Sequence, residues 1–261
     1  PLQPKLPHVG TTIFAVMSQL ANEHDAINLS QGFPDFPVSE QLIDLVHSYM
    51  RKGYNQYAPM TGIQLLREAL CRKIESAYGA VYHPEKEINI TSGATQAIYT
   101  AIAAVINPGD EVILFTPAYD SYAPAVEIHG GIPVYSHLRP PDYHIDWPEV
   151  EALVSPRTRM IVVNTPHNPT GSVLGDWDMQ QLEKITSSTD ILVLSDEVYE
   201  HIIFDDVRHC SALLYPGLRE RSFVIFSFGK TFNSTGWKHR TGRLAYQPSL
   251  VCMILKRASE S

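Results

Sequence analysis

From residue 87 onward, short β-branched apolar runs alternate with stretches of helical spacing, and that alternation leaves few folds open. Glu87–Thr91 reads as a strand, and Ala94–Ile106 as a helix stopped by Asn107-Pro108-Gly109. Further strands are expected at Glu111–Phe115, Pro133–Ser136, Arg159–Asn164, Ile191–Ser195 and Phe223–Phe228. Tyr122–His129 and Trp177–Ser187 leave room for helices between them. The expected fold class is therefore α/β, with a mainly parallel sheet sandwiched by helices. In such sheets the chemistry gathers beyond the carboxyl ends of the strands.

Composition narrows the function classes. With 261 residues and 44% hydrophobic content the chain can bury a sizeable core. A formal charge of −8, from 20 basic and 28 acidic residues, supplies no cationic field for nucleic acid or an anionic membrane. Neither is expected as a partner, and small molecules are. Cys71, Cys210 and Cys252 are odd in number, and neither they nor the 11 histidines show metal-ligand spacing. No metal is expected, and a reducing, cytoplasmic setting suits these thiols.

The strand ends carry the chemistry. After the first comes Ser92-Gly93-Ala94-Thr95-Gln96, a small-residue turn opening into a helix, whose free N–H groups could hold a phosphate or simply cap the helix. The second ends in Thr116-Pro117-Ala118-Tyr119-Asp120-Ser121-Tyr122, where Tyr119 could face a ligand or the core. Asn164-Thr165-Pro166-His167-Asn168-Pro169-Thr170-Gly171 is broken by prolines into a non-helical loop that can hold Asn168 still. Ile191–Ser195 runs into Asp196-Glu197-Val198-Tyr199, and a carboxylate so placed calls for a cationic partner. The run Phe223–Phe228 delivers Lys230, with Lys238 eight positions later. A phosphate cradle, an aromatic plate, a fixed amide, a carboxylate and a lysine together suit pyridoxal 5'-phosphate.

Asn-Pro-x-Gly, Asp-x-x-Tyr and Ser-x-x-Lys occur in that order, and with them the chain resembles the fold type I, class I aminotransferases. The branch containing methionine and kynurenine aminotransferases is the most similar, through Ile27–Phe36, Asn55–Gly62 and Asn164–Gly171. The resemblance runs from about Lys5 to Lys238. It implies that Lys230 binds the cofactor's aldehyde and moves the substrate proton, while Asp196 holds the proton on the ring nitrogen. Asn168 and Tyr199 would hydrogen-bond the phenolic oxygen, and Tyr119 would stack on the ring. Gly93, Ala94, Thr95, Ser227 and Lys238 would bind the phosphate, with Tyr57 reaching it from a second subunit of a homodimer. Gly32 and Phe14, with Asn168, would contact the substrate.

Beyond Lys238 the family pattern fades, and His239–Pro248 matches it at few positions. The organisation expected from this is an N-terminal segment (1–35) contributing to a small domain and the substrate site, a cofactor-binding large domain (36–238) and a divergent tail (239–261), with the family's C-terminal small domain missing. The expected activity is transfer of the amino group of methionine, aromatic amino acids or kynurenine to a 2-oxo acid, with a cysteine-conjugate β-lyase as a variant. A truncated, non-catalytic remnant that binds cofactor or pairs with an intact subunit is the alternative.

Overall fold

The computed structural model describes residues 3–32, 34–238 and 252–255. Two helices lead in, α1 (Ile13–Glu23) and α2 (Glu40–Arg51), and neither contains a buried residue. Helix α3 (Gln64–Tyr78) follows, stopped by Gly79 at φ 64°, a left-handed value that glycine adopts without strain. Then come β1 (Ile88–Thr91), α4 (Ala94–Val105), β2 (Glu111–Thr116), α5 (Tyr122–Ile128) and β3 (Ile132–His137). The chain continues through α6 (Trp147–Leu153), β4 (Thr158–Asn164), α7 (Asp176–Ser187), β5 (Leu192–Asp196), α8 (Pro216–Arg219), β6 (Ser222–Ser227), α9 (Phe228–Thr231) and β7 (Cys252–Leu255).

Among the described residues, seven strands form one sheet in the order β1-β7-β6-β5-β4-β2-β3. Strands β6, β5, β4, β2 and β3 pair in parallel, and β7 runs antiparallel to both of its neighbours. The mainly parallel sheet is therefore present, with one inverted strand that the sequence pattern did not announce. Cys252–Leu255 belongs to the stretch read as a divergent tail, and four apolar residues without flanking turn signals do not identify a strand by periodicity.

Strict alternation along the strands builds two cores. Ile113 and Phe115 of β2, Ile161 and Val163 of β4, Val193 of β5, and Val224 and Phe226 of β6 pack towards Leu70 and Ile74 of α3, Trp147 of α6 and Leu182 of α7. Their neighbours Val112, Leu114, Met160, Val162, Leu194, Phe223 and Ile225 pack towards Ile98 and Ile102 of α4 and Val126 of α5. Each fully buried Leu or Ile contributes about 1.5–3 kcal/mol relative to exposure, so register is strongly fixed. Strand β6 ends one residue earlier than its apolar run, because the Ser227 hydroxyl accepts the N–H of Lys230 (3.4 Å) and starts α9, making Phe228 helical.

Candidate active site

Strands β1, β6, β5, β4 and β2 all point the same way, so their carboxyl ends open on one edge of the sheet. At the centre of that edge, β5 ends in Asp196, 4% exposed. Period-two alternation directs it to the α4/α5 face, where its Oδ2 accepts the Tyr122 hydroxyl at 2.5 Å. Among the described residues its Oδ1 has only a long contact, 3.4 Å, from the Val198 N–H. The strand-end carboxylate thus finds a phenol, not the hydrogen-bonded cation that its burial suggested. Burial pushes its pKa up to about 6, assisted by the charge of Glu197 and opposed by Tyr122, Val198 and the more distant Lys230.

Lys230 sits in α9, one strand over. Its Nζ lies 5.3 Å from the centroid of the Tyr199 ring. The residue as a whole is exposed, yet the protein around its amine lowers its pKa, with Asp196 pulling the other way. Tyr199 is raised by burial and by Asp196, as is Tyr122. Tyr122 also packs edge-on against Tyr119 (5.6 Å, 78°), and the Tyr119 hydroxyl lies 3.3 Å from Thr95 Oγ1. One chain of contacts therefore runs from the start of α4 to Asp196.

Asn164, 7% exposed, ties two loops together at the same edge. Its amide donates to the Asp196 carbonyl (2.8 Å), and its Oδ1 accepts the Asn168 N–H (2.7 Å). The loop after β4 is closed further by the His167 N–H bonded to the Ser172 carbonyl (2.8 Å) and by the Gly171 N–H bonded to the His167 carbonyl (2.8 Å). Asn168 is held by its backbone, and its side-chain amide has no hydrogen-bond partner among the described residues. The neighbouring His167 is pushed down to about 4 by burial, so it is neutral. At the end of β1, Gly93 adopts φ 84° and ψ 167°, a conformation that favours glycine, and turns the chain into α4. The N–H groups of Ala94 and Thr95, in the first turn of α4, meet no backbone acceptor among the described residues.

The structure thus brings together Gly93, Ala94, Thr95, Tyr119, Asn168, Asp196, Tyr199, Ser227 and Lys230 along one edge. The Lys238 backbone closes a 3₁₀ turn, Thr235–Lys238, after α9, and its side chain lies outside the described residues. Tyr57, Gly32 and Phe14 stand apart. Tyr57 is fully exposed between α2 and α3, Gly32 has no atom within 4 Å of a Cβ placed on it, and Phe14 is half-buried on α1. No hydrogen bond or ring contact among the described residues joins these three to the cluster. The lead-in segment does reach the site's rim, where the Asn233 amide donates to the Phe36 carbonyl (2.5 Å). Sequence reasoning gave no role to Tyr122 or Asn164, although both lie in the strand-end segments it singled out. Among the described residues no acidic, histidine or cysteine group could hold a metal, and no helix is long and apolar enough to cross a membrane.

A helix-flanked parallel sheet with a lysine and a buried carboxylate on adjacent strand ends is the large-domain architecture of the pyridoxal-phosphate transferases. The model of the family "Aminotransferase class I and II" matches residues 24–260. The chain belongs to that family. It is 51% identical over 236 residues to a methionine aminotransferase of Escherichia coli, covering 90% of this chain and 61% of that protein. It is 33% identical to the human kynurenine–oxoglutarate transaminase 1, covering 84% and 55% respectively. Among solved structures, an E. coli protein identified as a methionine aminotransferase superposes with a TM-score of 0.90 at 47% identity, covering 99% of this chain and 65% of that one. The N-succinyldiaminopimelate aminotransferase of Mycobacterium tuberculosis gives 0.89 at 36%, covering 98% and 64%. The chain spans about three fifths of the length of the curated relatives it matches.

Proposed function

We propose that this chain forms the cofactor-binding part of a pyridoxal-phosphate aminotransferase acting on methionine, aromatic amino acids or kynurenine as donors and a 2-oxo acid as acceptor. The observation that carries this reading is the buried Asp196, hydrogen-bonded on one oxygen and with only a long contact on the other among the described residues, next to a strand end that carries a lysine of lowered pKa. A carboxylate held near 6 by burial gains most from a cation at its open oxygen, and a protonated pyridine nitrogen fits that need. The open amides at the start of α4 fit a phosphate. The donor set therefore suits pyridoxal 5'-phosphate, which when bound supplies an electron sink for the carbanion at the substrate's Cα.

The chain's own groups then divide the work. Asp196 would hold the proton on the ring nitrogen, and Tyr122, bonded to its Oδ2, would keep the carboxylate from turning away. Asn168 and Tyr199 would bind the phenolic oxygen, and Tyr119 would lie against the ring. Ala94, Thr95 and Ser227 would hold the phosphate with Lys238, Gly93 shaping the turn. Lys230, with its lowered pKa, has a larger neutral fraction near neutrality than an ordinary lysine, so its amine would be able to hold the cofactor's aldehyde and, once the substrate's amino group has displaced it, to accept and return the Cα proton. In this reading 1–35 is the substrate-side segment carrying Phe14 and Gly32, 36–238 the cofactor domain and 239–261 the tail. Tyr57 serves the phosphate of a second subunit.

Borohydride reduction in the presence of pyridoxal 5'-phosphate, followed by peptide mapping, tests the assignment. Label is expected on Lys230 and absent in Lys230→Ala, and label on Lys238 in the wild-type chain would refute the placement. Methionine added before reduction is expected to change the cofactor's near-visible band. A band that ignores every amino acid donor would favour a binding-only role.

A further inference from the structure

Behind the Asp196 turn, on the opposite face of the sheet, lies a second set of buried charges that the proposed chemistry does not use. Glu197, with no exposed surface, accepts the Ser195 hydroxyl (2.8 Å) and the Ala212 N–H (2.9 Å) on Oε1, and its Oε2 lies 2.8 Å from His209 Nε2. Glu200, 8% exposed, takes the Lys73 ammonium (2.5 Å) and the Tyr78 hydroxyl on one oxygen, and its other oxygen lies 3.5 Å from His201 Nε2. The Lys73 ammonium stands 4.5 Å from the ring centroid of Phe226 and 5.1 Å from that of Tyr78, two rings stacked at 6.0 Å. Phe226 immediately precedes Ser227 in β6. One network thus joins α3, the turn after β5 and the end of β6.

Stability alone does not account for it. Taking the Glu200 carboxylate out of water to meet a lysine whose side chain stays 33% exposed returns little net stability, and apolar residues of similar shape often do as well. Yet Asp196, Glu197 and Glu200 are three carboxylates within five residues, none more than 8% exposed. The turn that separates them is short: the Glu200 N–H bonds to the Glu197 carbonyl (3.0 Å) and the Ile202 N–H to the Tyr199 carbonyl (2.7 Å). Glu197 and Glu200 are anchored behind the sheet, while Asp196 and Tyr199 face forward. A turn held at both back corners has little freedom to rotate its front groups.

We infer that Lys73, Tyr78 and Glu200, together with the Glu197–His209 pair, are positioning residues that fix Asp196 and Tyr199 relative to Lys230 from the far side of the sheet. The inference rests on the cofactor reading above. Phe226 extends the same hold to β6, so that the carboxylate, the phenol and the lysine are set by one frame. The charge of Glu197 behind Asp196 also helps to raise its pKa, which makes Asp196 more dependent on a cation in front.

Two variants test this. The triple substitution Lys73→Met, Tyr78→Phe, Glu200→Leu replaces the polar triad by apolar groups, and Glu200→Gln keeps shape and a hydrogen-bond acceptor while removing the charge. Three quantities are measured: the urea midpoint of the cofactor-free protein, the affinity for pyridoxal 5'-phosphate, and the pH midpoint of the bound cofactor's near-visible band. The triple variant is expected to keep its urea midpoint, lose about tenfold or more in affinity, the scale on which groups behind direct contacts act, and show a displaced pH midpoint. Glu200→Gln is expected to shift both cofactor readouts less, in the same direction, and it decides the matter if the triple variant does not fold. Wild-type affinity and pH midpoint in Glu200→Gln would overturn the inference. Failure of the wild-type chain to bind the cofactor would instead overturn the site reading on which it rests.

Discussion

The carboxyl edge of the sheet and the lead-in helices are built on opposite terms. Asp196, Asn164 and Ser195 are held between two apolar layers and bonded on several sides. Helices α1 and α2 bury no residue in this chain, and Ile13, Leu20, Ile27, Leu29 and Tyr57 stand exposed. The lead-in segment meets the rest of the described chain through single polar contacts, such as Asn233 to Phe36 and His8 to Glu127. The groups proposed for the cofactor are positioned by the core itself. Those assigned to the substrate, Phe14 and Gly32, ride on a segment with little internal support. On the proposed reading, the groups assigned to the cofactor are preorganised in this chain, and those assigned to the substrate are not.

The sharpest way to break that comparison is to weaken both sides equally. Ile98→Ala, at a fully buried position of α4, is expected to cost about 2–5 kcal/mol in urea unfolding. Leu20→Ala, on exposed α1, is expected to stay within about 0.5 kcal/mol. Similar losses would mean that α1 is packed as tightly as α4.

A smaller effect concerns the charge at the centre of the edge. Asp196 has its pKa raised on folding, so its contribution is present below its unfolded value and is lost as pH rises through about 6. Asp196→Asn should therefore stabilise the cofactor-free protein above pH 6 by about 1–3 kcal/mol, from a little over 1 kcal/mol per pKa unit. The gain should vanish towards pH 4. Thermal unfolding across pH 4–8 checks both the sign and the window, and an equal effect at both ends would contradict the burial argument.

The smallest expected change is at His167. Its pKa is lowered to about 4 by burial, so it contributes stability above its ordinary value near 6.5 that is lost as pH falls towards 4. His167→Asn should remove about 1–2 kcal/mol of acid sensitivity between those limits, less than the full displacement of its pKa would give because the ring is only half-buried and solvent screens its charge, and change little at pH 8. A pH-independent loss would instead point to the hydrogen bond between His167 and Thr170.

Much of the edge was legible because strands announce themselves locally. The five parallel strands fell within a residue or two of their apolar runs, and reading their ends in turn located Asp196, Asn168, Tyr199 and Lys230. Other features are set by partners distant in sequence. Tyr122 meets Asp196 across 74 positions and Asn164 bridges to it across 32, so neither role follows from spacing. Strand β7 is four residues long and gains its place from β1 and β6, not from its own pattern. Glu197 showed only as an acidic neighbour of Asp196 and Glu200 drew no reading, because what lies behind a sheet is not written in the strand that crosses it.

Alternation along β5 also restricts how the gene can change length. Ser195, Asp196 and Glu197 lie on successive faces, with Asp196 towards α5 and its two neighbours towards the opposite core. An insertion or deletion of one codon within β5 would exchange these faces, presenting Glu197 or Ser195 where Asp196 now stands and sending an apolar side chain to the wrong layer. Exposed stretches such as residues 204–208 can absorb single-codon changes, whereas the five residues of β5 admit substitution but not a change in length.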